Sequence, residues 1–417
     1  MYDYCKLPNG LIIIGEKLPH FRSVSVGVWI AAGSQHETWQ ENGMSHFLEH
    51  MSFKGTERRS ARRIAEEMDA VGGHLNAFTA KECTCFYAKV IDEHMALAFD
   101  MLSDIVLNSV LDPSELDKEK GVILEEISMV EDEPEDLVHE LIMSAHYGNQ
   151  SIARPILGSV DSVQAIDRTA MASYRGCMYR PDRSVIAVAG NYEWDVLVDM
   201  AGRSFGDWRA DAPPVADFAS QAAVPTLIRR EKEIEQLHIC LSFPGYPQGS
   251  DSVYPMSIFS NIFGGAMSSR LFQKIREDHG MAYSVYSYPV FYADTGLLAV
   301  YAGTSTAHAT KVVDMIRAEM DSLIECGVTR DEFNQTRAQF KGNYVLGQES
   351  ASARMNALGR RMLLMGDTQT EDDVLRKIDA IEYDMVNVII RETLSAKTAG
   401  ALVGRCANSQ DMSCIIR

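Results

Sequence analysis

The chain has 417 residues, 46% of them hydrophobic, and a formal net charge of −19. That is ample apolar material for more than one core, and the length favours two to three domains. So acidic a surface repels phosphate backbones and excludes nucleic acid as a partner. No apolar run is long enough to span a bilayer, and the opening MYDYCKLPNGLIII has no basic-then-apolar leader, so the expectation is a cytoplasmic protein with no membrane association. The eight cysteines are scattered without a C-x-x-C pair, and reduced thiols are expected.

In chain order, Leu11 to Glu16 and Val24 to Ala32 are compact apolar runs that read as strands. Gly33 and the polar run Ser34 to Asn42 form the loop to the stretch Met44 to Thr56, MSHFLEHMSFKGT, which carries a helix. Within it His46, Glu49 and His50 stand three and four residues apart, which at 3.6 residues per turn puts their side chains on one side. Two imidazoles and a carboxylate in one small volume suit zinc, and a carboxylate not needed as a ligand can accept a proton from an activated water. The spacing H-x-x-E-H is the zinc-protease helix read backwards. Because chance yields such a five-residue pattern in on the order of one chain in fifty, its surroundings must decide.

Ser60 reads as the N-cap of a helix through Ala70 that stops at Gly72 and Gly73. His74 to Val90 reads as two short strands or a bent hairpin broken at Lys81-Glu82, with Cys83 and Cys85 on one face. Its exposed edge, near a metal site, suits the addition of an extended peptide. Asp92 to Asn108 is helical, and Asp112-Pro113-Ser114 opens a long Glu-bearing helix in the run Ser114 to Tyr147. In it Glu119 and Glu126, seven apart, return to nearly the same angle, whereas Glu125 is turned roughly 100° from Glu126. One of the facing pair can complete a metal site while the other orients a ligand or the water. His139 is a rival ligand, but on a continuous helix it falls on roughly the opposite face from Glu126.

Ser184 to Ala189 is a strand and Trp194 to Arg203 a helix. The Ala-, Asp- and Pro-rich segment within 207–225 is the clearest linker, so two domains are expected at 1–210 and 226–417 with a linker at 211–225. The second half restarts with a strand, Gln236 to Phe243, then helical Val253 to Phe263, strands Tyr283 to Tyr288 and Gly296 to Gly303, and helices from Ala307 to Glu325 and from Arg330 onward. This repeats the element order of the first half and reads as a diverged duplication. The second copy has no H-x-x-E-H and is expected to bind no zinc.

HFLEHMSFKGT followed by EKGVILEE, with VGGHLNAFTAKECTCFYAKV, RPILGS at Arg154 to Ser159 and SSRLFQKIREDHGMAYSVYS, resembles the pitrilysin family of zinc peptidases over nearly the whole chain. That family includes insulin-degrading enzyme and mitochondrial processing peptidase, and the length is that of its half-size, processing-peptidase-like bacterial members. The resemblance implies two homologous α+β domains, each a mixed or antiparallel sheet flanked by helices in a sandwich-like arrangement, together forming half of a clamshell chamber. It implies His46, His50 and Glu126 as ligands of one Zn2+ per subunit, Glu49 as general base and Glu119 as supporting carboxylate. It places Phe53 beside the scissile bond, Asn76 and Ala77 on the substrate-pairing strand, and Arg276 and Tyr283 at the substrate from a partner subunit. The function so implied is a metalloendopeptidase acting on peptides or flexible segments as a homodimer, or as a heterodimer with a paralogous subunit. The contrasting expectation is a non-catalytic binding or assembly subunit, against which the complete catalytic set speaks.

Overall fold

The computed structural model describes residues 2–210 and 226–405. The chain divides into two compact units, one comprising Met1–Ile127, Arg154–Phe218 and Val345–Thr370, the other Ser128–Ala153, Ala219–Tyr344 and Glu371–Arg417. Neither unit is continuous in sequence: 128–153 group with the later residues and 345–370 with the earlier ones. The segment expected as a linker, 211–225, lies outside the described residues.

The first unit is built on six strands: β1 (Asp3–Lys6), β2 (Ile12–Lys17), β3 (Ser23–Ile30), β4 (His74–Thr79), β5 (Thr84–Ile91) and β6 (Ser184–Gly190). They lie in the order β1-β2-β6-β3-β5-β4, antiparallel except for the β2–β6 pair. Alternation along β3 sorts the two faces. Val24, Val26, Val28 and Ile30 join a core with residues of α1 (Met44–Ser52), α2 (Ala61–Asp69) and α3 (Met95–Leu107). Ser25, Gly27 and Trp29 point the other way. The helices α4 (Pro113–Asp132), α5 (Pro134–Tyr147), α6 (Val160–Ala165), α7 (Arg168–Met178) and α8 (Trp194–Phe205) complete the first half of the chain.

The second unit has strands β7 (Leu227–Arg230), β8 (Gln236–Pro244), β9 (Ala282–Phe291), β10 (Gly296–Ser305) and β11 (Ala399–Gly404), in the order β7-β11-β8-β10-β9 with only β7–β11 parallel. Strand for strand this is the first sheet without β1, which bears out the duplication read from element order. The helices of the second half of the chain are α9 (Val253–Ser260), α10 (Ala309–Cys326), α11 (Arg330–Gly347), α12 (Ala351–Met365), α13 (Glu371–Asp379) and α14 (Tyr383–Leu394), of which α12 belongs to the first unit.

In each unit one face of the sheet is covered by a helix from the opposite half of the sequence. Met355, Leu358 and Met362 of α12 pack on Trp29, Cys85, Val185 and Ala187 of the first sheet and on Cys83 just before β5. Leu137, Val138 and Ile142 of α5 pack on Cys240, Ala299, Tyr301, Ala401 and Val403 of the second. The run Ser114 to Tyr147 is therefore two helices. Pro134, which has no N–H to give and fits a first helical turn, ends α4 and begins α5. The metal-motif helix ends at Ser52. No described helix is long and apolar enough to cross a membrane.

Candidate metal centre

Helix α1 lacks a cap of its own. Its N-cap is Gly43 at φ +93, where a Cβ would come within 2.6 Å of the Leu157 carbonyl oxygen. The orphan N–H groups of its start are taken by Glu37: Oε2 accepts from Gly43 N at 2.8 Å and from Asn42 Nδ2 at 3.0 Å, and Oε1 from Ser45 N at 2.7 Å. Glu37 is fully buried, and burial raises its pKa against the lowering effect of these donors. The RPILGS stretch braces the same turn. Asn42 Nδ2 also donates to the Pro155 carbonyl at 2.9 Å, Ser162 Oγ donates to the Asn42 carbonyl at 2.7 Å, and a Cβ on Gly158 would meet that carbonyl at 2.4 Å.

From this anchored start the helical period delivers His46, Glu49 and His50 to one side, toward α4. His46 Nε2 is 3.7 Å from Glu126 Oε2, and His50 Nε2 is 3.8 Å from Glu126 Oε1. One ligand atom from each of the three residues lies within 4.8 Å of the others, the only such group of three among the described residues. Glu119, one heptad back on α4 and almost fully buried, places Oε2 3.0 Å from His50 Nδ1 and accepts Lys54 Nζ on Oε1 at 2.7 Å. An ionised carboxylate only accepts, so the His50 proton sits on Nδ1 and its Nε2 lone pair faces Glu126. Burial, with His50 adjacent, lowers the His46 pKa to about 4, so this imidazole is neutral at pH 7. Glu125 is exposed on another face of α4.

Two imidazole Nε2 atoms and a carboxylate thus converge, and among the described residues Glu126 Oε2 and His46 Nδ1 are buried without a hydrogen-bond partner. A cation satisfies all three at once. Tetrahedral ligands held about 2.0–2.2 Å from zinc are about 3.3–3.6 Å apart, so the three groups, within 4.8 Å of one another, would draw together around the ion. A set of two nitrogens and one oxygen is also of the kind that leaves a fourth position open.

Glu49 stands beside this group without belonging to it. Its Oε2 accepts from Thr79 Oγ1 at 2.5 Å. Burial raises its pKa, and Glu126 adds to that, while Thr79 and His50 oppose it. Phe53, at the C-cap of α1, packs on Phe86 at 6.2 Å and lines a cleft of about 530 Å³ with Ile64 and Met68 of α2, Leu75, Asn76 and Tyr87. Asn76 is exposed and Ala77 half-buried on β4, which pairs with β5 alone among the described residues. The Ala77 N–H takes the Asn76 carboxamide oxygen at 2.9 Å.

The expected substrate pair belongs to the second unit. The Arg276 guanidinium lies 5.1 Å from the Tyr283 ring centroid and 4.8 Å from that of Phe272, with Tyr283 76% exposed. His139 is occupied elsewhere in that unit, with Nε2 2.9 Å from Tyr286 OH and Nδ1 2.7 Å from Tyr288 OH. The reason it is no rival ligand is therefore the break at Pro134 and not the face of a continuous helix. Sequence reasoning passed over Glu37, Lys54 and Thr79. Glu37 follows no local capping pattern, and only Thr79 had a signal, standing two residues beyond Ala77 on the same face of the strand.

The geometry is that of a candidate mononuclear metal centre carried by one of two duplicated α/β units. Residues 12–160 match the family described as Insulinase (Peptidase family M16), and residues 165–340 match the Peptidase M16 inactive domain. The chain belongs to peptidase family M16. It is 42% identical over 400 residues to the uncharacterized zinc protease YmxG of Bacillus subtilis (strain 168), covering 96% of this chain and 97% of that protein. It is 33% identical over 404 residues to an uncharacterized zinc protease of Rickettsia felis, with 97% of each covered. The fold is shared with a protease from Helicobacter pylori (TM-score 0.89, 17% identity, 97% of this chain and 99% of the other). It is also shared with a peptidase M16 inactive domain structure from Pseudomonas fluorescens (TM-score 0.90, 16% identity, 97% and 98%). Helix α9, which follows β8 as α1 follows β3, has the sequence VYPMSIFS and offers no imidazole or carboxylate.

Proposed function

We propose that this protein is a zinc metalloendopeptidase that hydrolyses peptides or flexible polypeptide segments. The observation that carries the reading is the convergence of the His46 and His50 Nε2 atoms on the Glu126 carboxylate, with Glu119 setting the His50 tautomer. A zinc ion held there, one per subunit, would supply Lewis acidity toward a peptide carbonyl and lower the pKa of a water at the open position.

The chain's own residues do the rest. Glu49 takes the proton of the attacking water as its oxygen bonds to the carbonyl carbon. As the C–N bond breaks, Glu49 passes that proton to the leaving amine nitrogen. The open edge of β4 at Asn76 and Ala77 receives the substrate backbone as an added strand, and Phe53 with the adjoining cleft receives a side chain near the bond cut. Arg276 and Tyr283 reach the substrate from a partner subunit, so the working form is a cytoplasmic dimer enclosing a chamber, as a homodimer or with a paralogous subunit. Such a chamber favours short or unfolded chains over folded proteins.

The test is a mixed peptide pool read by mass spectrometry, with wild type beside Glu49→Gln and zinc content measured in both. The expected result is cleavage by wild type, and a loss of about 10²–10⁴-fold in the variant at unchanged zinc content. A zinc-loaded wild type that cuts nothing, alone or with its paralogue, overturns the reading in favour of a binding subunit.

A further inference from the structure

Thr79 is the last residue of β4, half-buried and adjacent to α1. Its hydroxyl has one proton to give, and the neighbouring groups decide where that proton goes. Thr84, its cross-strand partner on β5, is fully buried and donates to the Ala32 carbonyl oxygen at 2.8 Å. The two hydroxyl oxygens stand 3.5 Å apart, at the limit of a hydrogen bond, and the Thr84 proton is already committed. The remaining neighbour is Glu49 Oε2 at 2.5 Å, an acceptor when ionised.

We propose that Thr79 is the positioning residue of the general base: its hydroxyl fixes the Glu49 carboxylate and couples it to the open strand on which the peptide would lie. This rests on the metallopeptidase reading and deepens it. A glutamate has three side-chain torsions, and on a helix surface it samples many orientations. Threonine is β-branched and stiff at its first torsion, and here its backbone is held by the cross-strand pair. Anchoring Oε2 on such a group removes most of the Glu49 freedom and leaves Oε1 for the proton of the attacking water. Because Asn76 and Ala77 precede Thr79 on the same strand, a peptide paired with β4 engages the element that carries this anchor. Among the described residues Thr79 makes no hydrogen bond to His46, His50 or Glu126, so its effect passes through Glu49.

Threonine to valine keeps the shape and removes the hydroxyl, and serine restores it. In the zinc-loaded full chain, Thr79→Val is expected to lower kcat by on the order of tenfold, the scale of one hydrogen bond to a charged group. KM and zinc content should stay at wild-type values, and Thr79→Ser should return kcat to within about threefold of wild type. A Thr79→Val enzyme with wild-type kcat overturns the proposal, as does a loss confined to KM or one that Thr79→Ser shares in full. If zinc-loaded wild type cuts no peptide, the functional reading fails first, and carbon-13 NMR of the Glu49 carboxyl carbon still decides this point. Its resonance should move in Thr79→Val and stay in Thr79→Ser, whereas an unmoved resonance in both variants refutes the contact.

Discussion

Replacing Glu119 by Gln isolates what a carboxylate behind a histidine contributes to a metal centre. In the wild type, Glu119 Oε2 is 3.0 Å from His50 Nδ1 and Oε1 holds Lys54 at 2.7 Å. The glutamine keeps the shape and can still accept from His50 through its carbonyl oxygen, but it removes the negative charge that makes the Nε2 lone pair more basic and leaves an NH2 facing Lys54. Lys54 is 30% exposed and can turn to solvent, so the metal-free protein should lose at most about 1 kcal/mol. Metal affinity should fall 10–100-fold, which is about 1.4–2.7 kcal/mol. The same loss appears in thermal unfolding. At zinc equal to 100 times the wild-type Kd, binding stabilises wild type by about 2.7 kcal/mol, and a thirtyfold weaker variant at that zinc concentration retains about 0.9 kcal/mol. Chelator competition and melts with and without zinc measure both quantities. An E119Q protein with the wild-type Kd and the full zinc-induced shift would refute the assignment of Glu119 as the group that supports His50.

Two further predictions concern the scaffold. Asp104 is fully buried and accepts from Arg59 Nη1 and Thr56 Oγ1 at 2.8 Å and from Arg58 Nε and Asn108 Nδ2 at 3.1 Å. Burial pushes its pKa up, but these donors outweigh it and the net shift is downward. A depressed carboxylate contributes stability that is present above its unfolded value of about 3.9 and is lost as pH falls through the folded value. Asp104→Asn should therefore lower stability at pH 7 by about 3–5 kcal/mol and flatten the acid limb of a plot of Tm against pH below about pH 4. An acid limb identical to wild type, followed by circular dichroism, rules this contribution out. In Gly359→Ala the new Cβ would lie 2.2 Å from Trp29 Nε1, forcing α12 off the first sheet at a cost of about 1–3 kcal/mol. Urea unfolding should show a lower midpoint at an unchanged slope, with altered fluorescence from Trp29, and wild-type stability in the variant would mean that this contact yields freely.

What was legible in the sequence follows the range of the interaction involved. His46, Glu49 and His50 could be put on one side of a helix because helical period is a local property, and Glu119 with Glu126 for the same reason. The Ser60 cap, which accepts from Arg63 N at 3.3 Å, and the β4–β5 hairpin are equally local. Composition and repeated element order sufficed for a duplicated α/β fold. Strands β1, β7 and β11 were not anticipated. β7 and β11 form a parallel pair whose members lie far apart in the chain, and no short window of sequence carries that information.

Only the tertiary structure decided the rest, because it depends on which surfaces meet. Pro134 marked a helix break, yet nothing local says that α5 beyond it will cover a sheet made from the other half of the chain, or that α12 will do the converse. Both helices present apolar faces that any complementary sheet could bury, and the choice is made by the sum of side-chain packing on Trp29 in one unit and Tyr301 in the other. The same holds at the centre. The three groups of the motif were readable as a chemical set, but the carboxylate that caps their helix and the hydroxyl that holds Glu49 come from a loop and a strand end brought there by folding. Local periodicity determined which residue types share a face, and long-range packing determined what each face meets.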